Sequence, residues 1–394
     1  MTGLGETVLL TGATGFLGRN LIGALLERDP ALSIVGVIRA RDDQELAERL
    51  DRLVASLSQS RRRRVQAVRG DVAAERLGLD GADYDRLVER VDRVFHCAAS
   101  TRFDLPIADA RGQNVESTRG LLALCRRLRR RGRRGRLDHV STAFVAGRRR
   151  GLVGEDELSA AAGFRNTYER TKYEAEILCR DALAELPIVI HRPSIVVGRS
   201  DSGATTDYKT IYSPMKLLVK SYNLWPSVLN RLVPVPVWPD TRLDVVPVDW
   251  LSSAMAALFG QDSAEGQCVH LAAGPAASAS VRELAVATCA LFGTPQVRIH
   301  EPGAVLRGVA RLVRPLVMHA SPRTGAILDI MYDYGAGMPD FDTANAARLG
   351  LVAPRVIDYF QRLVRFASST DYGRGRTRAA EPPAIADSST AAPR

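Results

Sequence analysis

The stretch ETVLLTGATGFLGRNLIGALLER, Glu6 to Arg28, decides the fold. A short apolar run, VLL, leads into TGATGFLG, which sets Gly12, Gly15 and Gly18 three residues apart. Behind them, apolar residues recur at helical spacing through FLGRNLIGALLER. Strand, glycine turn and helix in this order predict a dinucleotide-binding turn. Glycine lets the chain turn tightly, brings the backbone close to a pyrophosphate and packs helix on sheet. The phosphates then meet the positive end of the helix dipole. Gly12, Thr14, Gly15, Phe16, Leu17 and Gly18 are the expected cofactor-facing residues.

Working outward, short apolar runs alternate with longer amphipathic ones. Strands are expected at ETVLLTG, SIVGVIRA, VQAVRGDV, RVFHCAA, RLDHVSTAF and PIVIHRPSIVVG. Helices are expected at FLGRNLIGALLER, QELAERLDRLVASL, VESTRGLLALCRRL and YERTKYEAEILCRDALAEL. This alternation predicts an α/β fold, a Rossmann-type doubly wound parallel sheet, with a smaller, mostly helical C-terminal substrate-binding region. The expected cofactor domain is 1–200, with 240–262 packing back on it and Asp249 capping a helix. Segments 201–239 and 263–368 form the substrate region, and 369–394 is expected to be a disordered tail.

Composition narrows the class. The chain has 394 residues, 46% of them hydrophobic, and five scattered cysteines with no C-x-x-C pair, which predicts reduced thiols without a metal or disulfide framework. No apolar run reaches the ~20 residues of a membrane-spanning helix, and the opening residues leave no room for a cleavable leader. A cytoplasmic protein is expected. The formal net charge of +10 rests on 54 basic residues, of which only Lys172, Lys209, Lys216 and Lys220 are lysines. That skew reads as a chain-wide preference for Arg on solvated faces, so nucleic acid is not an expected partner. The stretch AVLRGVARLVRPLVMH, with Arg307, Arg311 and Arg314, reads as a core-packed amphipathic helix in preference to a peripheral membrane contact.

The second strand ends in VIRAR, where Arg39 and Arg41 stand in place of the acidic residue that holds an NAD ribose. Two guanidinium groups there suit a 2′-phosphate, so NADPH is the preferred cofactor and NADH the alternative. Asp71, followed by Val72, ends the third strand and faces the adenine or caps a turn. Ala98 and Ala99 are small where the cofactor would lie against the fourth strand. His96 reads as a core histidine.

In NTYERTKYEAEIL, Tyr168 and Lys172 are four apart and share a helix face. A free phenol has a pKa near ~10. A nearby ammonium, aided by a bound pyridinium in the oxidised state, is expected to pull it down toward proton transfer at neutral pH. HVSTAFVAG supplies a hydroxyl on the preceding strand, from Ser141 or Thr142.

Together VLLTGATGFLGRNLI, VFHCAASTRFD, NVESTRG, HVSTAFVAG, NTYERTKYEAE and HRPSIVVG resemble the extended short-chain dehydrogenase/reductase superfamily. More narrowly, the chain resembles its thioester-reductase and fatty acyl-CoA reductase branch. The resemblance implies Tyr168 as proton donor, Lys172 as its pKa-lowering, ribose-binding partner, Thr142 as the hydroxyl on the substrate carbonyl, and Asn114 as support for helix and proton path. It places Pro193, Ser194 and Ile195 beside the nicotinamide. It implies NADPH-dependent reduction of an acyl thioester, on CoA or an acyl carrier protein, to an aldehyde, with the aldehyde or the alcohol of a second reduction left open as end product. The alternative is a ketoreductase for a steroid, polyketide or sugar-like ketone or alcohol. Leu224, Trp225, Val233, Val235 and Trp238 are candidates for an acyl pocket, and Lys209, Lys216 and Lys220 for phosphates of the thioester arm. Oligomeric state is left open by the sequence.

Overall fold

The structure, a computed structural model, describes residues 5–208, 211–212, 215–216, 235–236, 238–293, 299–300, 334–335 and 337–373. Seven parallel strands form the main sheet: β1 Thr7–Thr11, β2 Ser33–Ile38, β3 Val65–Arg69, β4 Arg93–His96, β5 Arg136–Val140, β6 Ile188–Pro193 and β7 Cys268–Leu271. Their spatial order is β3-β2-β1-β4-β5-β6-β7. The chain starts mid-sheet, winds to one edge, then crosses back to build the other. The order reverses between β1 and β4, and a crevice opens there at the carboxyl ends of the strands.

Strand periodicity divides the core between two faces. Val8 and Leu10 point to the layer of α1 (Phe16–Arg28), with Leu21 and Leu25, and of α6 (Val248–Phe259), with Leu251 and Met255. Leu9 between them points the other way, toward Leu87 of α3 (Gly81–Arg90) and Leu121 of α4 (Ser117–Arg130). The remaining helices of the cofactor-binding half are α2 (Asp43–Val54) and α5 (Thr167–Asp181). The C-terminus of α6 is held by two guanidinium groups from strand starts. Arg93 donates to the Phe259 carbonyl (2.7 Å) and Arg136 to that of Leu258 (2.8 Å). Cations there complement the helix dipole.

Several boundaries differ from expectation. β7 falls inside 263–368, which was assigned to the substrate region, yet it pairs with β6 as an edge of the main sheet. PIVIHRPSIVVG is two strands: after Pro193 the chain leaves the main sheet, and Ile195–Val197 pairs with Val245–Pro247 instead. Asp249 lies inside the first turn of α6, where its carboxylate accepts from the Ser200 amide and hydroxyl at 2.9 and 2.6 Å. The last helix, α8 (Val356–Ser369), runs through the expected start of the tail because Tyr359, Phe360 and Leu363 pack against α7 (Val281–Phe292) and its surroundings. The tail beyond Gly373 lies outside the described residues, as do Lys209, Lys220, Leu224, Trp225, Val233, Arg307, Arg311 and Arg314. Val235 opens the short strand Val235–Pro236. Among the described residues no helix is long and apolar enough to cross a membrane.

Candidate active site

The glycine turn closes against the end of β4. Gly12 has φ +71°, and a Cβ there would sit 2.7 Å from the Ala98 nitrogen and 2.8 Å from the Cys97 carbonyl carbon. A Cβ on Gly18 would lie 2.2 Å from the Gly12 oxygen. Gly15 is the N-cap of α1, no side chain caps that helix, and its first turn, opening with Phe16 and Leu17, holds no acid. The turn is therefore a cradle with helix-end amides turned to the crevice, which fits a pyrophosphate. Thr14 offers its carbonyl to Arg19 (3.0 Å). Thr11 steadies the far wall: its hydroxyl meets His96 Nδ1 at 2.7 Å and accepts from the Ala98 amide at 3.2 Å, setting Ala98 and Ala99 beside the glycines. His96 is a core residue, as expected, and burial pushes its pKa down to about 3.

At the ends of β2 and β3, Arg39 is exposed, with Nη1 4.0 Å from the Asp71 carboxylate. Arg41 is turned away onto α2, its Nε 2.8 Å from Glu45 Oε2. Asp71 also accepts from the Ala73 amide (3.0 Å), a turn cap, while Val72 packs against the core. Arg39, Gly70 and Asp71 line one cleft. Of the two arginines, Arg39 is thus the one presented to it.

Tyr168 and Lys172 stand on α5, whose N-cap Asn166 accepts from the Glu169 amide (2.9 Å). Lys172 is 1% exposed and donates from Nζ to the Val140 carbonyl at the end of β5 (2.6 Å). Two residues on, Thr142 caps a short 3₁₀ turn, Ala143–Ala146, and donates to the Pro193 carbonyl (3.4 Å). Thr142 also hydrogen-bonds the Tyr168 phenol. Ser141 is committed elsewhere, donating to Glu176 Oε2 (2.7 Å), so Thr142 is the hydroxyl at the phenol. Pro193 ends β6, Ser194 follows it beside the buried Asp244, which accepts from the Ala273 and Gly274 amides at 2.8 Å, and Ile195 packs by Phe144.

Without a bound nucleotide the Tyr168 pKa is pushed up to about 12 by burial, with the Thr142 hydrogen bond opposing. One N–H of the ammonium goes to a backbone carbonyl, and burial brings the Lys172 pKa itself down to about 8. A neutral phenol at pH 7 is a proton donor. The Lys216 ammonium donates to the Asp371 carbonyl (3.0 Å) and pairs with its carboxylate (3.3 Å).

Asn114 does not touch Tyr168 or Lys172. It sits in a π-helical stretch, Gly112–Glu116, and joins β4 to α5. Its Oδ1 accepts from the Ser100 amide (2.8 Å), and its Nδ2 donates to the Ser100 carbonyl (3.1 Å) and Thr171 Oγ1 (2.9 Å). Glu176 was missed by the sequence reading, although Tyr168, Lys172 and Glu176 are spaced by four. Fully buried, it is paired with Arg192 of β6 (3.0 and 2.7 Å) and locks α5 to the sheet. Tyr334 and Glu169 were also missed, and no local pattern joins them.

The doubly wound sheet and its glycine turn define an NAD(P)-dependent oxidoreductase of the extended short-chain dehydrogenase/reductase type. The profile of the male sterility protein family of NAD-binding domains matches residues 10–255, and the chain belongs to that family. The carboxylic acid reductase of Segniliparus rugosus is 29% identical over 276 residues, covering 64% of this chain and 23% of that protein. Fatty acyl-CoA reductase 1 of Mus musculus is 30% identical over 229 residues, 49% of this chain and 43% of that one. The chain thus spans less than half the length of these relatives. The crystal structure of the terminal R domain from the myxalamid PKS-NRPS biosynthetic pathway superimposes with a TM-score of 0.78 at 26% identity, covering 95% of this chain and 93% of that one.

Proposed function

We propose that the chain is an NADPH-dependent reductase of acyl thioesters, carried on CoA or an acyl carrier protein, that yields an aldehyde and then an alcohol. The observation that carries this reading is the meeting of Thr142 and a neutral Tyr168 phenol beside the buried Lys172. When bound, the nicotinamide cofactor supplies a hydride to the thioester carbonyl carbon. Gly12, Gly15 and Gly18 hold its pyrophosphate, Asp71 and Val72 its adenine end, and Arg39 the 2′-phosphate. Ala98, Ala99, Pro193, Ser194 and Ile195 flank the nicotinamide, and Lys172 holds its ribose.

Thr142 donates a hydrogen bond to the carbonyl oxygen as negative charge develops on it, and Tyr168 gives that oxygen its proton. The neutral hemithioacetal then breaks its C–S bond, releasing a thiol and the aldehyde. The carboxylic acid reductase and fatty acyl-CoA reductase relatives support the thioester class.

The test is NADPH consumption with acyl-CoAs and with ketones, with free thiol followed in parallel. Thiol released with NADPH consumption supports the reading. Ketone reduction with no thiol from any acyl-CoA or carrier-loaded thioester would replace it with the ketoreductase alternative.

A further inference from the structure

The N-terminal turn of α5 is held by a residue 166 positions away from its Tyr168. The Tyr334 hydroxyl donates to Glu169 Oε1 (2.8 Å) and accepts from Asn166 Nδ2 (2.9 Å), the cap residue of the helix. Glu169 is fully buried and also accepts from the Arg165 amide (2.8 Å) and guanidinium (3.3 Å). The Arg165 guanidinium in turn lies 5.0 Å from the Tyr334 ring centroid and donates to the Gly337 carbonyl (3.3 Å).

The ring has a second set of contacts. It stacks on Phe103 (6.2 Å) and meets the edge of Phe144 (5.5 Å), while Phe103 itself lies 5.9 Å from the Tyr168 ring. These rings form one apolar wall ending at the phenol. Its outer member comes from the C-terminal region. The chain just past Tyr334 is tied down twice: Thr241 donates to the Gly335 carbonyl (2.6 Å), and Asp340–Phe341 pairs in parallel with Leu152–Val153.

We infer that Tyr334 is a specificity-determining and positioning residue of this site, its ring closing an apolar acyl subsite over Phe103 and Phe144 and its hydroxyl fixing the helix turn that carries Tyr168. The inference rests on the carbonyl-reductase reading of Tyr168. The two functions of the residue separate chemically. Tyr334→Phe keeps the wall and removes the hydroxyl; Tyr334→Ala removes both.

The experiment measures octanal reduction by NADPH and, by calorimetry, binding of the unreactive octanamide to the NADPH complex. Tyr334→Phe is expected to lower kcat about tenfold, the order for one lost hydrogen bond to a charged group, with octanamide affinity kept. Tyr334→Ala is expected to weaken octanamide about tenfold as well, the order for losing one large apolar contact. Both should bind NADPH as the wild type does. Variants that match the wild type in kcat and octanamide affinity would overturn the inference. So would loss of NADPH affinity in both, which would mark a purely structural residue. Octanal reduction with no thiol released from octanoyl-CoA or from a carrier-loaded octanoyl thioester would remove the thioester reading and leave Tyr334 in place. A wild type that neither reduces octanal nor binds octanamide would overturn both.

Discussion

Replacing Lys172 with Met should abolish activity while leaving the fold as stable or more stable at pH 7. The ammonium is 1% exposed, and burial holds its pKa at about 8. Against the ordinary lysine value near ~10.4, keeping the charge in the folded state costs about 3 kcal/mol. Methionine removes that cost. It also leaves the Val140 carbonyl without its 2.6 Å donor, at roughly 1–3 kcal/mol, so the two effects nearly offset at pH 7.

The sign with pH is sharper. Between about pH 8 and ~10.4 the unfolded lysine holds a proton that the folded one has lost, so wild-type stability rises with pH across that window. The variant has no such group. Urea unfolding of both proteins at several pH values, compared as a difference, cancels the remaining titrations. Relative to Lys172→Met, the wild type should gain about 3 kcal/mol from pH 7 to above pH 10. A difference that stays flat over this range would refute the claim that the ammonium is buried at a cost.

Three further substitutions test the parts around it. Gly18→Ala puts a Cβ 2.2 Å from the Gly12 oxygen, a backbone atom that cannot step aside, so NADPH affinity by fluorescence titration should fall at least about tenfold; an unchanged affinity would contradict the cradle. Arg39→Ala should weaken NADPH by about tenfold and leave NADH unchanged, and equal losses for both would remove its 2′-phosphate role. Asn114→Ala loses contacts to the Ser100 amide, the Ser100 carbonyl and Thr171, and should cost about 2–3 kcal/mol in urea unfolding, whereas an unshifted midpoint would show that this bridge is not needed.

What was legible in the sequence is what local periodicity encodes. Gly12, Gly15 and Gly18 sit within one turn and Tyr168 and Lys172 on one helix face, so each set is visible locally, and the pair gains meaning from the glycine turn and the hydroxyl strand read with it. The partners of Asn114 could not be read, because Ser100 and Thr171 reach it from separate elements. Tyr334 was hidden for the same reason: its tie to Glu169 spans 165 residues and passes through an irregular region. The burial that raises the Tyr168 pKa was not legible, because a charge at i+4 is visible in sequence and desolvation is not. β7 was assigned to the wrong region because CVHL reads as a strand without saying which sheet it joins.

The most direct test of the account is octanoyl-CoA turnover by the wild type and by Tyr168→Phe, with NADPH consumption and free thiol read together. The account predicts thiol release coupled to NADPH oxidation in the wild type. In Tyr168→Phe it predicts a loss of at least about a hundredfold with NADPH affinity retained. Equal thiol release by both proteins would contradict Tyr168 as proton donor, and NADPH oxidation without thiol would contradict thioester reduction.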